Sequence, residues 1–216
     1  GVSSAASDVY KRQVIVGAIG VVIGSGGAAN SAEDYTYQAQ VSEQTESYRD
    51  MVADYCEKYG IDDYVDLCLA VIEQESGGNP PDVMQTVQSY YNVNPPIDTA
   101  EESIDCGTHE LSDCLTKAKS KSPNDIKGIS LALQGYNFGN GYIDWALKNY
   151  GCYSKENAEI FSQKMCAELG YDSYGDVEYV PHVLRYYIAN PETTVTNESA
   201  NSILTVSYTH LTLPTI

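Results

Sequence analysis

Apolar residues recur at spacings of three and four along most of the chain's middle, while strand-like alternation is scarce. The clearest such stretch is 62–75, Asp-Asp-Tyr-Val-Asp-Leu-Cys-Leu-Ala-Val-Ile-Glu-Gln-Glu. On a helix, Cys68, Val71, Ile72 and Glu75 share one stripe, and Asp62, Asp66 and Glu73 fall on another face. Ser76-Gly77-Gly78 then stops the helix, because glycine accepts the left-handed conformation that closes a helical end. The pattern predicts a buried helix with a carboxylate at its C-terminal end, Glu73 being solvated and Glu75 aimed at apolar surroundings. Burial and the negative end of the helix dipole both disfavour a carboxylate there, so the Glu75 pKa is expected to be raised. An acid that stays protonated near neutrality can protonate a leaving group. The same pattern also fits a polar residue that merely ends a helix beside its glycine cap.

The remaining pattern is also helical, and the predicted fold class is mainly α. A helix over about 47–59 carries Met51, Val52, Tyr55 and Tyr59 on one stripe, and Gly60 closes it. The loop after Gly78 holds two Pro-Pro pairs, at 80–81 and 95–96, which forbid helix, so it is expected to wrap over the end of the Glu75 helix. The stretch 99–119 is acidic at its start and basic at its end, as a helix dipole favours. Ser122-Pro123 supplies an N-cap and a first-turn proline for a helix through Ile126, Ile129 and Leu133. Further helices are expected around Trp145, from Ser154 to about Gly170, and over 176–189 with Pro181 early in it.

These elements place one domain at 45–189. Before it, 14–29 is apolar and punctuated by glycine, like a signal peptide or the remnant of a membrane anchor. It is shorter than the ~20 apolar residues a spanning helix needs. Either form implies export to the extracellular side. The polar stretches 30–44 and 190–205 read as linkers, and 1–13 and 206–216 read as non-native sequence.

The formal net charge of −18 argues against nucleic acid as a partner, because phosphate binding needs a basic footprint. Nineteen tyrosines against two phenylalanines and one tryptophan suit a groove for sugars or peptides, where a ring stacks while its hydroxyl stays hydrogen-bonded. The six cysteines form no CxxC or Cys/His cluster, and the three histidines are scattered, so neither a metal site nor a cofactor is expected. With export, an even number of cysteines points to disulfides without fixing the pairs.

Four segments carry the chemistry: Glu75-Ser76-Gly77-Gly78, Met84-Gln85, Gly135-Tyr136-Asn137-Phe138-Gly139, and Tyr179-Val180-Pro181-His182-Val183. Their order and spacing resemble the lysozyme-like superfamily of soluble lytic transglycosylases and goose-type lysozymes. Within it, they are most similar to the bacterial goose-type domain of cell-wall hydrolases carried by conjugative elements of Gram-positive bacteria, the CwlT-like group. The resemblance covers about 45–189 and implies a helical domain with a substrate groove. It implies Glu75 as the catalytic acid, supported by Ser76. It further implies Met84 and Gln85 along the sugar groove, Tyr136 and Asn137 beneath it, and Tyr179 reaching toward the acid. The chain departs from the family pattern at Asp82-Val83, where Gly-Leu is usual, and at Phe138, where a small residue often sits.

The resemblance implies cleavage of peptidoglycan glycan strands at the β-1,4 bond between N-acetylmuramic acid and N-acetylglucosamine. It also implies wall opening during conjugative transfer, with the conjugation machinery as a partner. Two outcomes stay open. A muramidase needs a second carboxylate to activate water, and Asp82 and Asp98 are the candidates, although each also suits a turn. A lytic transglycosylase instead uses the muramic acid's own 6-hydroxyl and leaves a 1,6-anhydro end. A non-catalytic wall-binding module would keep the tyrosines without needing a protonated acid.

Overall fold

The computed structural model describes residues 35–86 and 97–191. The apolar stretch at 14–29, the two outer terminal stretches and the second Pro-Pro pair lie outside the described residues. Eight α-helices and a two-stranded sheet make up the described fold, in the order β1 (Tyr35–Ala39), α1 (Glu43–Glu46), α2 (Arg49–Tyr59), α3 (Val65–Ser76), α4 (Ala100–Ala118), α5 (Ile126–Phe138), α6 (Gly141–Asn149), α7 (Lys155–Leu169), α8 (Tyr179–Leu184) and β2 (Tyr187–Pro191). A 3-10 turn, Asp62–Tyr64, leads into α3. Among the described residues no helix is long and apolar enough to cross a membrane.

Helix α3 is the centre of the core. Leu67, Cys68, Leu69, Ala70, Val71 and Ile72 are all fully buried, so the helix is enclosed on more than the one stripe its spacing marks. It packs against α2, α8 and β1, while α5 packs against α4, α6 and α8. Local chemistry fixes the helix ends. Thr99 and Glu102 form a reciprocal capping box at the start of α4, and Ser154 Oγ accepts from Asn157 N–H at the start of α7. Gly77 closes α3 at φ 62°, a conformation that costs glycine nothing.

Three expectations need correction. The stretch 30–44 is not simply a tether, since β1 and α1 lie within it. Strand β1 pairs antiparallel with β2, Tyr37 opposite Ala189 and Ala39 opposite Tyr187. Tyr35, Tyr37 and Ala39 do alternate with Thr36 and Gln38, but a single run of five residues is too short to declare a strand by itself. It is fixed instead by contacts from far along the chain: the Tyr37 and Tyr187 rings stack 5.0 Å apart, and Ala39 N–H donates to Asp66 Oδ1 at 3.0 Å. The last helix is correspondingly shorter than 176–189, and the stretch called a linker from 190 begins inside β2. At α5 the N-cap is Asp125, whose carboxylate accepts from Gly128 N–H, while Ser122-Pro123 forms the preceding turn.

Glu73 also differs from its expected role as a solvated acid. Its Oε2 accepts from Ser42 N–H, Ser42 Oγ and Thr45 Oγ1, so it tethers the start of α1 to α3. All six cysteines are free thiols, with Cys56 Sγ and Cys68 Sγ buried 3.6 Å apart.

Candidate active site

Glu75 sits in the last turn of α3, half-buried, where the enclosed part of the helix emerges. Its Oε1 accepts a short hydrogen bond from the Tyr179 hydroxyl of α8, and the Tyr179 side chain is almost wholly buried. Burial is the main influence on the Glu75 carboxyl and pushes its pKa up. The Tyr179 hydrogen bond opposes this by stabilising the carboxylate, and the charges of Asp82 and Asp176 push it up further. The result is a carboxyl with a pKa of about 7, poised to give up a proton near neutrality.

Ser76 does not bond to Glu75. Its hydroxyl donates to Val83 O at 2.8 Å and accepts from Gly78 N–H at 3.1 Å, clamping the following loop to the end of α3. That loop positions Met84. Met84 N–H donates to Ser103 Oγ at 2.9 Å, and Met84 O accepts from the Tyr136 hydroxyl at 2.9 Å. The Met84 side chain is fully buried over Gly107 of α4, where an added Cβ would stand only 2.6 Å from Sδ. Gln85 is exposed and left-handed at φ 47°, and its side chain folds back to donate to Asp82 O at 2.7 Å.

Tyr136 lies beneath the site, its ring stacked on Tyr179 with centroids 6.4 Å apart. Burial holds both phenols well above their ordinary pKa, so both remain hydrogen-bond donors. Asn137 faces the other way along the chain's path. Its Oδ1 accepts from Asp176 N–H at 2.7 Å, and Gln134 Nε2 donates to Asp176 O at 2.9 Å, so α5 carries the segment that leads into Tyr179. Phe138 points into an aromatic cluster with Tyr142, Phe161 and Tyr174, and its bulk is matched by Gly175, which has no side chain to meet it. The departure at 138 is thus a packing feature.

The two acids named as candidate second carboxylates are placed differently. Asp82 is close enough to raise the Glu75 pKa, but its Oδ1 already accepts from Thr86 N–H, Thr86 Oγ1 and Ser103 Oγ. Asp98 is exposed at the start of α4, where its N–H donates to Glu102.

Two further acids escaped the sequence reading. Asp176, just before Tyr179, raises the Glu75 pKa and pairs with His182 Nδ1 at 2.6 Å. Glu110 of α4 is only 7% exposed, and burial, with the charges of Glu75 and Asp113, pushes its pKa up to about 8. A sequence signal for Glu110 did exist. It is a glutamate set into the seam Ile104, Gly107, Leu111, Cys114 and Leu115, otherwise made of apolar and small residues.

The profile of the lysozyme-like family matches residues 42–198, which takes in every site residue described above. The chain belongs to the lysozyme-like family. It is 36% identical over 146 residues to the bifunctional muramidase/DL-endopeptidase CwlT of Bacillus subtilis, covering 68% of this chain and 42% of that protein. It is 32% identical over 120 residues to a pneumococcal vaccine antigen A homolog of Streptococcus pyogenes, covering 56% of this chain and 58% of that one. Among solved structures, a Staphylococcus aureus protein described as similar to a lipoprotein of the NLP/P60 family superposes with a TM-score of 0.59 at 30% identity. That alignment covers 74% of this chain and 57% of the other. The chain therefore spans about half the length of the relatives it matches.

Proposed function

We propose that this lysozyme-like domain cleaves the glycan strands of peptidoglycan at the bond between N-acetylmuramic acid and N-acetylglucosamine, with Glu75 as general acid. The observation that carries this reading is the Glu75–Tyr179 pair: a carboxyl with a pKa near 7, oriented by a buried phenol from a distant helix. Protonated Glu75 gives its proton to the bridging oxygen as the sugar takes on oxocarbenium character. Tyr179 holds the carboxyl in place and stabilises the charge left on it. The stack of Tyr136 and Tyr179 and the Met84–Tyr136 hydrogen bond keep this arrangement rigid beneath the substrate.

The muramidase outcome is favoured by the relative whose name carries that activity. Ser76, Met84, Gln85 and Asn137 then act mainly by shaping the two segments that flank Glu75, to judge from their hydrogen bonds. Transglycosylation is the second reading, and the observation in its favour is that Asp82 Oδ1 already accepts from three donors. The setting is the extracellular face of the cell, at the wall, and the use is local wall opening during conjugative transfer.

Purified peptidoglycan incubated with the protein separates these readings by product mass. Released fragments with reducing muramic acid ends support the muramidase. Fragments lighter by one water, the 1,6-anhydro form, support transglycosylation. Binding without release of any fragment would overturn both in favour of a wall-binding module.

A further inference from the structure

Glu110 has no part in the chemistry described so far, yet its surroundings are unusual for an acid. It is more than nine-tenths buried, with 7% exposure. Among the described residues it makes no hydrogen bond and no ion pair. The charges that reach it, those of Glu75 and Asp113, are both negative. A buried carboxyl with no cation and no donor is neutral, because ionising it there forfeits hydration without compensation.

Its position on α4 directs it to the site. Ser103, Gly107, Glu110 and Cys114 recur at spacings of three and four, so they share one face of the helix. That face meets the candidate site at every other position. Ser103 bonds to Asp82 and to Met84 N–H, Gly107 lies under the Met84 side chain, and Cys114 lies by Gly135, next to Tyr136. Glu110 lies between these contacts and acts electrostatically on both Tyr136 and Tyr179. Neither of its carboxyl oxygens is fully enclosed. Gln134 Oε1 is the one fully enclosed side-chain oxygen without a partner among the described residues. An acid without a partner among the described residues, buried but not fully enclosed and beside the proton donor of the site, is placed to meet a ligand.

We propose that Glu110 is a second acid of this site, one that stays neutral and donates its carboxyl O–H to an acceptor oxygen of the bound N-acetylated sugar. This rests on the reading of the domain as a glycan-cleaving enzyme. The electrostatics support it. Burial pushes both carboxyls up, to about 7 for Glu75 and about 8 for Glu110. The charge that appears on Glu75 as it protonates the leaving group holds the proton on Glu110 more firmly. The groups that set this balance are Glu75 on α3, Asp82 in the loop after it, Asp113 and Cys114 on α4, Tyr136 on α5 and Tyr179 on α8. Glu110 therefore serves as a donor throughout the cycle and never as the base that activates water.

The test compares Glu110→Gln, which keeps a neutral donor of the same shape, with Glu110→Leu, which keeps the bulk alone. Release of fragments from purified glycan strands is measured at pH 6, with thermal unfolding to confirm that both variants fold. Glu110→Gln is expected to stay within about threefold of wild type, and Glu110→Leu to fall by about 30-fold or more. If Gln is as slow as Leu, Glu110 works as a carboxylate and the proposal is wrong. If neither variant is slower, the residue is structural and the proposal is again wrong. A wild type that releases nothing removes the activity reading instead. Glu110 is then judged by 13C NMR of carboxyl-labelled glutamates. The resonance missing from Glu110→Gln should titrate above pH 7, and one already ionised at pH 5 would overturn the neutral acid.

Discussion

The Tyr179 hydroxyl donates to Glu75 Oε1, joining two residues 104 positions apart in the chain. This bond favours the carboxylate, whereas burial and the charges of Asp82 and Asp176 favour the acid. Tyr179→Phe removes the influence that lowers the Glu75 pKa, so that pKa should rise above about 7. The alkaline limb of the rate–pH profile is expected to move to higher pH by up to about one unit, and the rate at pH 6 to fall by about tenfold as orientation is lost. A profile that stays in place would separate Tyr179 from the proton donor.

The raised carboxyls also couple stability to pH. In the unfolded chain both Glu75 and Glu110 ionise near 4.5, but folded they hold their protons to about 7 and about 8. Across that window the folded state binds more protons, so stability falls as pH rises. Thermal unfolding should show Tm dropping by about 5 °C or more between pH 5 and pH 8. Part of this fall belongs to Glu110, so Glu110→Gln should reduce it.

Gly107 tests the support beneath Met84. Alanine in a helix interior normally gains about 1 kcal/mol over glycine. Here its Cβ would meet Met84 Sδ at 2.6 Å, Met84 Cβ at 2.7 Å and Thr86 Cγ2 at 2.9 Å. Gly107→Ala is therefore expected to destabilise by about 1–3 kcal/mol in denaturant titration. Activity should fall as well, because the displaced Met84 carbonyl is the acceptor for Tyr136. A stabilised, fully active variant would contradict this packing.

The sheet sets the working limits of the domain. A fragment of 45–189, the span marked by helical periodicity, lacks β1 and with it the Tyr37–Tyr187 stack, the Ala39–Asp66 bond and the Ser42 bonds to Glu73. A fragment of 33–191 keeps all three. Its Tm is expected to exceed that of the shorter fragment by more than about 5 °C, measured by circular dichroism.

What was legible in the sequence was set by local rules. The Glu75 helix, its glycine stop, the acidic start of α4 and the Ser154 cap all declare themselves within a few residues, and each is present in the structure. What was not legible depends on partners far along the chain. Tyr35–Ala39 becomes a strand only because Tyr187–Pro191 lies beside it. Glu73 looks solvated until α1 brings Ser42 and Thr45 to it. Asp82 reads as a candidate second carboxylate or a turn residue, and only the fold shows that Ser103 from α4 and Thr86 occupy its Oδ1. Glu110 lies in mid-helix within an apolar seam, with no glycine stop or neighbouring motif to mark it as Glu75 is marked.

The central claim is that Glu75 is the proton donor for glycan cleavage, and the most direct measurement is the rate of fragment release by wild type and Glu75→Gln from the same peptidoglycan. The substitution keeps size and hydrogen bonding but removes the transferable proton. The account predicts a fall of at least about 100-fold in rate, with folding unchanged and binding to the insoluble wall retained. Equal release by the two proteins would contradict it.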